Sequence, residues 1–271
     1  MRERRRSGII YLMLVFMALL IGVNIFWIWR YGALRDGYDQ AADALQSVFE
    51  ASENGESLAA FAKENGLSIA DYPKELIELL EKNPETKDYV FNYPLRKDEK
   101  QEIDLSSVLE EDGVPLLMQW DSRWGYEEYA GGMMGLTGCG PTCLSMVAMH
   151  LKDDPSYDPR YIKEFSEKNG YDVEGSGSSW TLMSEGGKKL GFDVTEIPLD
   201  KYRIIRNLEV GNLIICVMGP GDFTETGHFI VMTGYEEGKV SINDPNSIER
   251  SDKLWELDEI MGQIKNLWVF R

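Results

Sequence analysis

Leu136-Thr137-Gly138-Cys139-Gly140-Pro141-Thr142-Cys143 sets a cysteine between two glycines, directly ahead of a proline that can open a helix. Proline suits the first helical position because its missing N–H would have been unsatisfied there and its φ is already helical. Behind it, Cys143, Met146, Val147 and Leu151 recur at helical spacing, which predicts a helix with a buried face. Cys139 then falls at the helix entrance, where the positive end of the dipole and free backbone N–H groups stabilise a thiolate. Such surroundings lower a thiol pKa to roughly 3.5–7.5, which a cysteine nucleophile needs near neutral pH. Taken alone, these eight residues also read as a buried structural cysteine at a tight turn.

The chain has two histidines, His150 and His228. His150 lies about three turns along the same helix, too far to touch Cys139, and reads as a solvated or capping residue. His228 follows Gly227 at the start of an apolar strand running to Tyr235, and a turn at Glu236-Glu237-Gly238 leads into a second strand, Lys239 to Asp244. A three-residue loop with Gly238 left-handed would pair Tyr235 with Lys239 and Asp244 with Ile230. Asp244 and His228 would then share a face as diagonal neighbours. A two-residue loop would shift the register by one and put them on opposite faces. In the first register Asp244 can hold the imidazole in the tautomer that accepts a proton from Cys139, the base-plus-orienter logic of catalytic triads. An Asp before Pro is otherwise a common turn residue.

Gln119-Trp120-Asp121-Ser122-Arg123-Trp124-Gly125-Tyr126, Thr137-Gly138-Cys139-Gly140-Pro141-Thr142, Gly227-His228-Phe229-Ile230 and Asn243-Asp244-Pro245-Asn246 together resemble the papain-like cysteine peptidases. More narrowly, they are similar to the stand-alone relatives of the double-glycine, bacteriocin-leader-processing peptidases. The resemblance covers about residues 114–271, and the stretch from Tyr72 to Pro94 looks like a segment that precedes the domain in such proteins. It implies Cys139 as nucleophile, His228 as general base, Asp244 as orienting acid and Gln119 as a side chain that helps bind the oxyanion. Leader-processing enzymes keep that glutamine a few residues before the cysteine, near Met133 here, whereas Gln119 lies twenty positions upstream. The intervening loop would have to fold out and return it. Those enzymes also sit beside a transporter with many spans and an ATPase, neither of which this chain carries.

Between Arg6 and Arg30 lie 23 uncharged, mostly apolar residues, preceded by Arg2, Arg4, Arg5 and Arg6 and ending with Trp27 and Trp29. As a helix this span is long enough for a hydrocarbon core of roughly 30 Å. The positive-inside rule puts the N-terminus in the cytoplasm and the rest outside. A cleaved signal peptide has a shorter apolar core and small residues at its cut, so an uncleaved single-pass anchor fits better.

The 271 residues carry a formal charge of −18, while the first thirty hold five Arg and one Glu, so the acidity lies downstream. That surface repels nucleic acid. Three cysteines in an exported chain do not make a disulfide framework. Cys143 and the strand residue Cys216 read as small core residues. No zinc-ligand spacing and no phosphate- or dinucleotide-binding glycine pattern is present, so neither metal nor cofactor is expected.

These readings divide the chain into an Arg cluster and transmembrane anchor (1–30), a helical stalk (31–94), a charged linker (95–113) and a papain-like domain (114–271). In the stalk, Tyr38, Ala41, Leu45, Val48 and Phe49 form one stripe, Ser57 caps a second helix ending at Asn65-Gly66, and Pro73 opens a third. In the domain, helices are expected from Pro159 to about Gly170, from Ser178 or Ser179 to Leu190, and around Leu254–Met261. Strands are expected near 193–198, 212–218, 228–234, 239–244 and 266–271. A helical lobe carrying the cysteine and an antiparallel sheet carrying the histidine make an α+β fold with the site in the cleft between them. Trp180, with the loop Gly219–Phe223, is a candidate lining of that cleft, and Gly138 and Gly227, which flank Cys139 and His228, are candidate substrate-facing positions. The expected activity is that of a membrane-anchored extracellular cysteine peptidase acting on peptide or protein substrates through a thioester. Cell-wall peptide hydrolysis, acyl transfer by the same residues and a catalytically inactive peptide-binding module are the alternatives.

Overall fold

The computed structural model describes residue 30, residues 52–110 and residues 112–271. The anticipated membrane span and the stripe from Tyr38 to Phe49 lie outside the described residues. Among the described residues no helix is long and apolar enough to cross a membrane. The chain divides into two compact units at Phe61/Ala62, within helix α1 (Glu53–Glu64). Helix α1 begins earlier than Ser57: the Gly55 N–H donates to Ser52 Oγ, so the helix is capped five residues upstream of the expected residue. Gly66, with φ +69°, follows its end.

The second unit is built on a six-stranded antiparallel sheet. Its strands are β1 (Val194–Glu196), β2 (Leu213–Met218), β3 (His228–Glu236), β4 (Lys239–Asn243), β5 (Trp255–Glu256) and β6 (Ile264–Phe270), in spatial order β1-β6-β2-β3-β4-β5. The central strand β2 is apolar throughout because both of its faces are covered. Leu213, Ile215 and Val217 point into one core with Cys143, Met146 and Val147, while Ile214, Cys216 and Met218 point into a second with Ile204 and Leu208. Cys143 and Cys216 are therefore free and buried on opposite sides of the sheet.

The first core is capped by α4 (Cys139–Lys152) and α5 (Pro159–Lys168), which Pro159 opens as expected and Asp158 caps through the Tyr161 N–H. The second is covered by α6 (Lys201–Glu209), a helix the sequence reading did not separate from the neighbouring strands; Asp200 caps it through the Arg203 N–H. The helix expected around Leu254–Met261 is broken up, because Trp255 and Glu256 pair with β4 as an edge strand, leaving a helical turn at Leu257–Ile260 that runs into a 3-10 turn at Met261–Gln263. That expected from Ser178 starts later, with a π-helical turn at Leu182–Gly186.

Parts of the stretches read as stalk and linker lie in the same compact unit as the sheet. Helices α2 (Lys74–Lys82) and α3 (Lys87–Arg96) belong to the same compact unit as the sheet. Tyr89 stacks on Tyr126 with ring centroids 4.6 Å apart, and its hydroxyl donates to Gly125 O at 2.7 Å while Tyr126 Oη donates to Tyr89 O. The stretch read as a charged linker is tied down too. Leu105 is buried in the first core, and the Arg160 guanidinium donates to Gln101 O. Net charge along 95–113 concealed a few apolar anchors, and those anchors decide whether a segment docks.

Candidate active site

Helix α4 starts at Cys139 itself, two residues ahead of the expected proline start, and Pro141 occupies its first turn, where no N–H is needed. A short helical turn, Met134–Thr137, feeds into it, and Gly138 is the boundary. Gly138 is buried rather than substrate-facing; a Cβ there would lie 2.5 Å from Met134 O, so the tight entry explains the glycine. On the other side of the cysteine, a Cβ on Gly140 would lie 2.4 Å from Ser178 Oγ. Cys139 is thus squeezed between two backbone positions that exclude side chains, and it is only partly buried.

His228 opens β3, and its Nε2 lies 2.7 Å from Asp244 Oδ1. The hairpin reaches this arrangement by an unexpected route. The turn has two residues, Glu237 and Gly238, both with positive φ, and Glu236 pairs with Lys239. That register alone would have separated the two side chains. A bulge between Met232 and Gly234 takes up one residue, so Val231 pairs with Asn243 and the next residues in register are Ile230 and Asp244. The bulge restores what the shorter turn would have lost.

With Nε2 engaged by Asp244, the other ring nitrogen is the one available to Cys139. Burial pushes the Cys139 thiol up, but His228 and the N–H groups of Phe229 and Gly140 outweigh it, and the thiol lies below its ordinary value. Burial pulls His228 down, whereas Asp244 and then Cys139 raise it, to about 10. Asp244 is fully buried; burial raises its pKa, but His228, Arg250 and the Asn246 N–H together hold it below the usual carboxylate value. The arrangement favours a thiolate–imidazolium pair backed by an ionised carboxylate.

Gln119 reaches the turn ahead of Cys139. Its N–H donates to Pro245 O at 2.7 Å, and its Nε2 donates to Gly135 O at 2.9 Å, on the turn leading into Cys139. Its Oε1 is buried and has no protein partner. Trp180 is 46% exposed and meets Trp268 edge-on at 6.1 Å; Trp268 in turn packs on Phe229, the neighbour of His228. Gly227 is exposed with nothing near its missing Cβ, so no close approach demands a glycine there. His150 is exposed, with Nδ1 3.1 Å from Gly113 O. Among the described residues no group of acidic, histidine and cysteine side chains is arranged to hold a metal.

Sequence reasoning missed the surroundings of Asp244. Arg250 Nε donates to its Oδ2 at 2.6 Å. Asn83 Nδ2 donates to Asn246 O at 2.6 Å, as does Trp120 Nε1 at 3.2 Å. The signal for Arg250 was Ser247, whose side chain caps the short turn Ile248–Ser251 that carries it.

Sheet, helix entrance and thiol site together place the chain among the cysteine peptidases of papain-like architecture. The sequence pattern of the Peptidase_C39 like family matches residues 111–270, more than half of the chain, and the chain belongs to that family. It is a cysteine peptidase. Solved structures similar to it include the peptidase domain of Streptococcus ComA, a bifunctional ABC transporter involved in a quorum-sensing pathway. The two share 22% identity over 57% of this chain and 95% of that one, with a TM-score of 0.40. A protein from Bacillus anthracis assigned as a C39-like peptidase shares 14% identity over 63% of this chain and 98% of that one, with a TM-score of 0.35. No curated protein matches the chain.

Proposed function

We propose that the protein is a membrane-anchored peptidase facing the outside of the cell, which cleaves peptide bonds through Cys139, His228 and Asp244. The Cys139 thiolate attacks the carbonyl carbon, and His228 passes its proton to the leaving amine, which departs as the C–N bond breaks. The thioester is then hydrolysed by a water that His228 deprotonates. Asp244 keeps the imidazole oriented. The backbone N–H of Cys139 and the side chain of Gln119 are read as donors to the oxyanion. The observation that carries this reading is the 2.7 Å contact between His228 and a fully buried Asp244, on a histidine that also stabilises the Cys139 thiolate. The apolar span ahead of Arg30 and the arginines before it support the anchor and its orientation.

Incubating the full-length chain with a pool of peptides of varied sequence and reading new termini by mass spectrometry tests the chemistry. Cleavage by the wild type and none by Cys139→Ala is the expected result, whereas equal cleavage by both removes Cys139 from the reaction. Protease protection of the chain expressed in membranes tests the topology: digestion of residues 52–271 only from the outer side is expected, and protection there reverses the orientation.

A further inference from the structure

Asp244 is held from more sides than an orienting acid strictly needs. Oδ1 accepts from His228 Nε2 at 2.7 Å and from the Asn246 N–H at 2.8 Å, and Oδ2 accepts from Arg250 Nε at 2.6 Å. A buried carboxylate with a free oxygen would be costly and able to rotate; Arg250 satisfies that oxygen and fixes the plane of the group.

Arg250 is itself placed by a turn of four residues, too short to be stable alone. Ser247 caps it by accepting from the Arg250 N–H at 3.1 Å, and Ser251 Oγ bridges back by donating to Ser247 O and accepting from the Asp244 N–H. The two leading N–H groups of the turn, on Ile248 and Glu249, donate to the two carboxylate oxygens of Glu85 at 3.2 and 2.9 Å. Glu85 comes from the segment between α2 and α3, far away in sequence. That segment grips on both sides of the acid's loop, because Asn83 accepts from the Glu85 N–H while donating to Asn246 O. Nothing in the packing of the cores requires a carboxylate there.

We propose that Arg250 and Glu85 are positioning residues for the Asp244–His228 pair, Glu85 fixing the turn that carries Arg250 and Arg250 fixing the carboxylate. The inference rests on the proposed roles of Cys139, His228 and Asp244. It makes the segment ahead of the family-matched region part of the peptidase machinery. Arg250→Lys and Glu85→Gln each keep a hydrogen-bonding group beside the buried carboxylate and the turn, so the expected effect lies in the aim of Asp244 rather than in folding. The ionisable groups facing the site are Cys139, Cys143 and Tyr129 around the thiol, Asp244 and Arg250 behind the imidazole, and Glu85 beyond the turn.

Two readouts test this without a known substrate. The first is the pH profile of Cys139 alkylation by iodoacetamide in the full-length chain. The second is the ring spectrum of nitrogen-15-labelled histidine, which contains only His228 and the exposed His150 as an internal control. Arg250→Lys keeps the positive charge and loses the planar fork, so a change reports geometry. In Arg250→Lys and in Glu85→Gln the acid limb of the alkylation profile should move to higher pH, because a less firmly held imidazolium stabilises the Cys139 thiolate less. The alkylation rate at neutral pH should fall about tenfold, and the His228 signals should move while those of His150 stay. Lower melting temperatures with wild-type alkylation profiles and wild-type His228 signals would reduce Glu85 and Arg250 to a structural clasp and overturn the proposal. If Arg250→Lys does not fold, Glu85→Gln alone decides between these outcomes. A wild type whose His228 signals ignore alkylation of Cys139 would overturn both this inference and the proposed function, a result distinct from unchanged variants on a responsive wild type.

Discussion

The entrance of α4 and the turn after β4 present the two halves of one site, and they are held in opposite ways. The backbone of Cys139 is set by its immediate neighbours, namely the helix it begins and the tight entry at Gly138, while its thiol meets the Gly140 N–H and, from β3, His228 and the Phe229 N–H. Asp244 is fixed by residues scattered along the chain: Asn83 and Trp120 through Asn246, Gln119 through Pro245, and Arg250 directly. The nucleophile's backbone placement is therefore local, while the acid's placement is a product of tertiary assembly. Substitutions at the first should act where they are made, and those at the second should act from a distance.

The sharpest break is to remove each end. Cys139→Ala should lower cleavage by a factor on the order of 10⁶, and Asp244→Asn, which keeps shape but favours the wrong tautomer, by roughly 10⁴. Equal losses would mean that the acid participates in more than orientation; steady-state kinetics on any cleaved peptide decides it. Next comes Gln119, which touches both halves through Pro245 and Gly135. Gln119→Ala should cost about 10²–10³ in kcat with little change in KM if the side chain serves the oxyanion. A loss confined to KM would assign it to substrate binding.

The pH dependence sharpens the contrast further. Burial pushes Cys143 and Cys216 up, helped by neighbouring charges at Cys143, while Cys139 is held down, so iodoacetamide at pH 6 should label Cys139 alone. Removing the imidazolium in His228→Ala leaves the desolvation of the thiol uncompensated, and its titration should move to higher pH. Peptide mapping of the labelled chain checks both points. The remaining tests concern stability. Gly138→Ala sets a Cβ against Met134 O and should cost about 1–3 kcal/mol, a drop of several degrees in Tm measured by calorimetry. Glu237→Asn puts a residue tolerant of positive φ in the hairpin turn and should raise stability by about 0.5 kcal/mol, small enough to require replicate denaturant melts.

The same contrast explains what could be read from the chain beforehand. Cys139, its helix and the strands of the sheet follow from short-range spacing, because the 3.6- and 2-residue periods are written in consecutive residues. The His228–Asp244 contact is reached by a route that short-range spacing does not show: a two-residue turn and a bulge add up to the register that a three-residue loop would have set. Bulges have no strong sequence mark, and Thr233 gives none. Ser247 marks the turn that carries Arg250, and the stretch holding Asn83 and Glu85 resembles a segment that precedes such domains, but what these side chains hold depends on which distant loops meet. Residues 95–113 misled for a related reason, since Leu105 counts for more in packing than the charges around it. Helix α6 went unseen between two strands although Asp200 and the Ile204–Leu208 spacing marked it.

The ends of the sheet carry a separate consequence. Its outermost strands have three residues at β1 and two at β5, against nine in β3. Such stubs leave few dangling amides and carbonyls for another chain to zip onto, so copies at high concentration should resist sticking to one another through their β-structure.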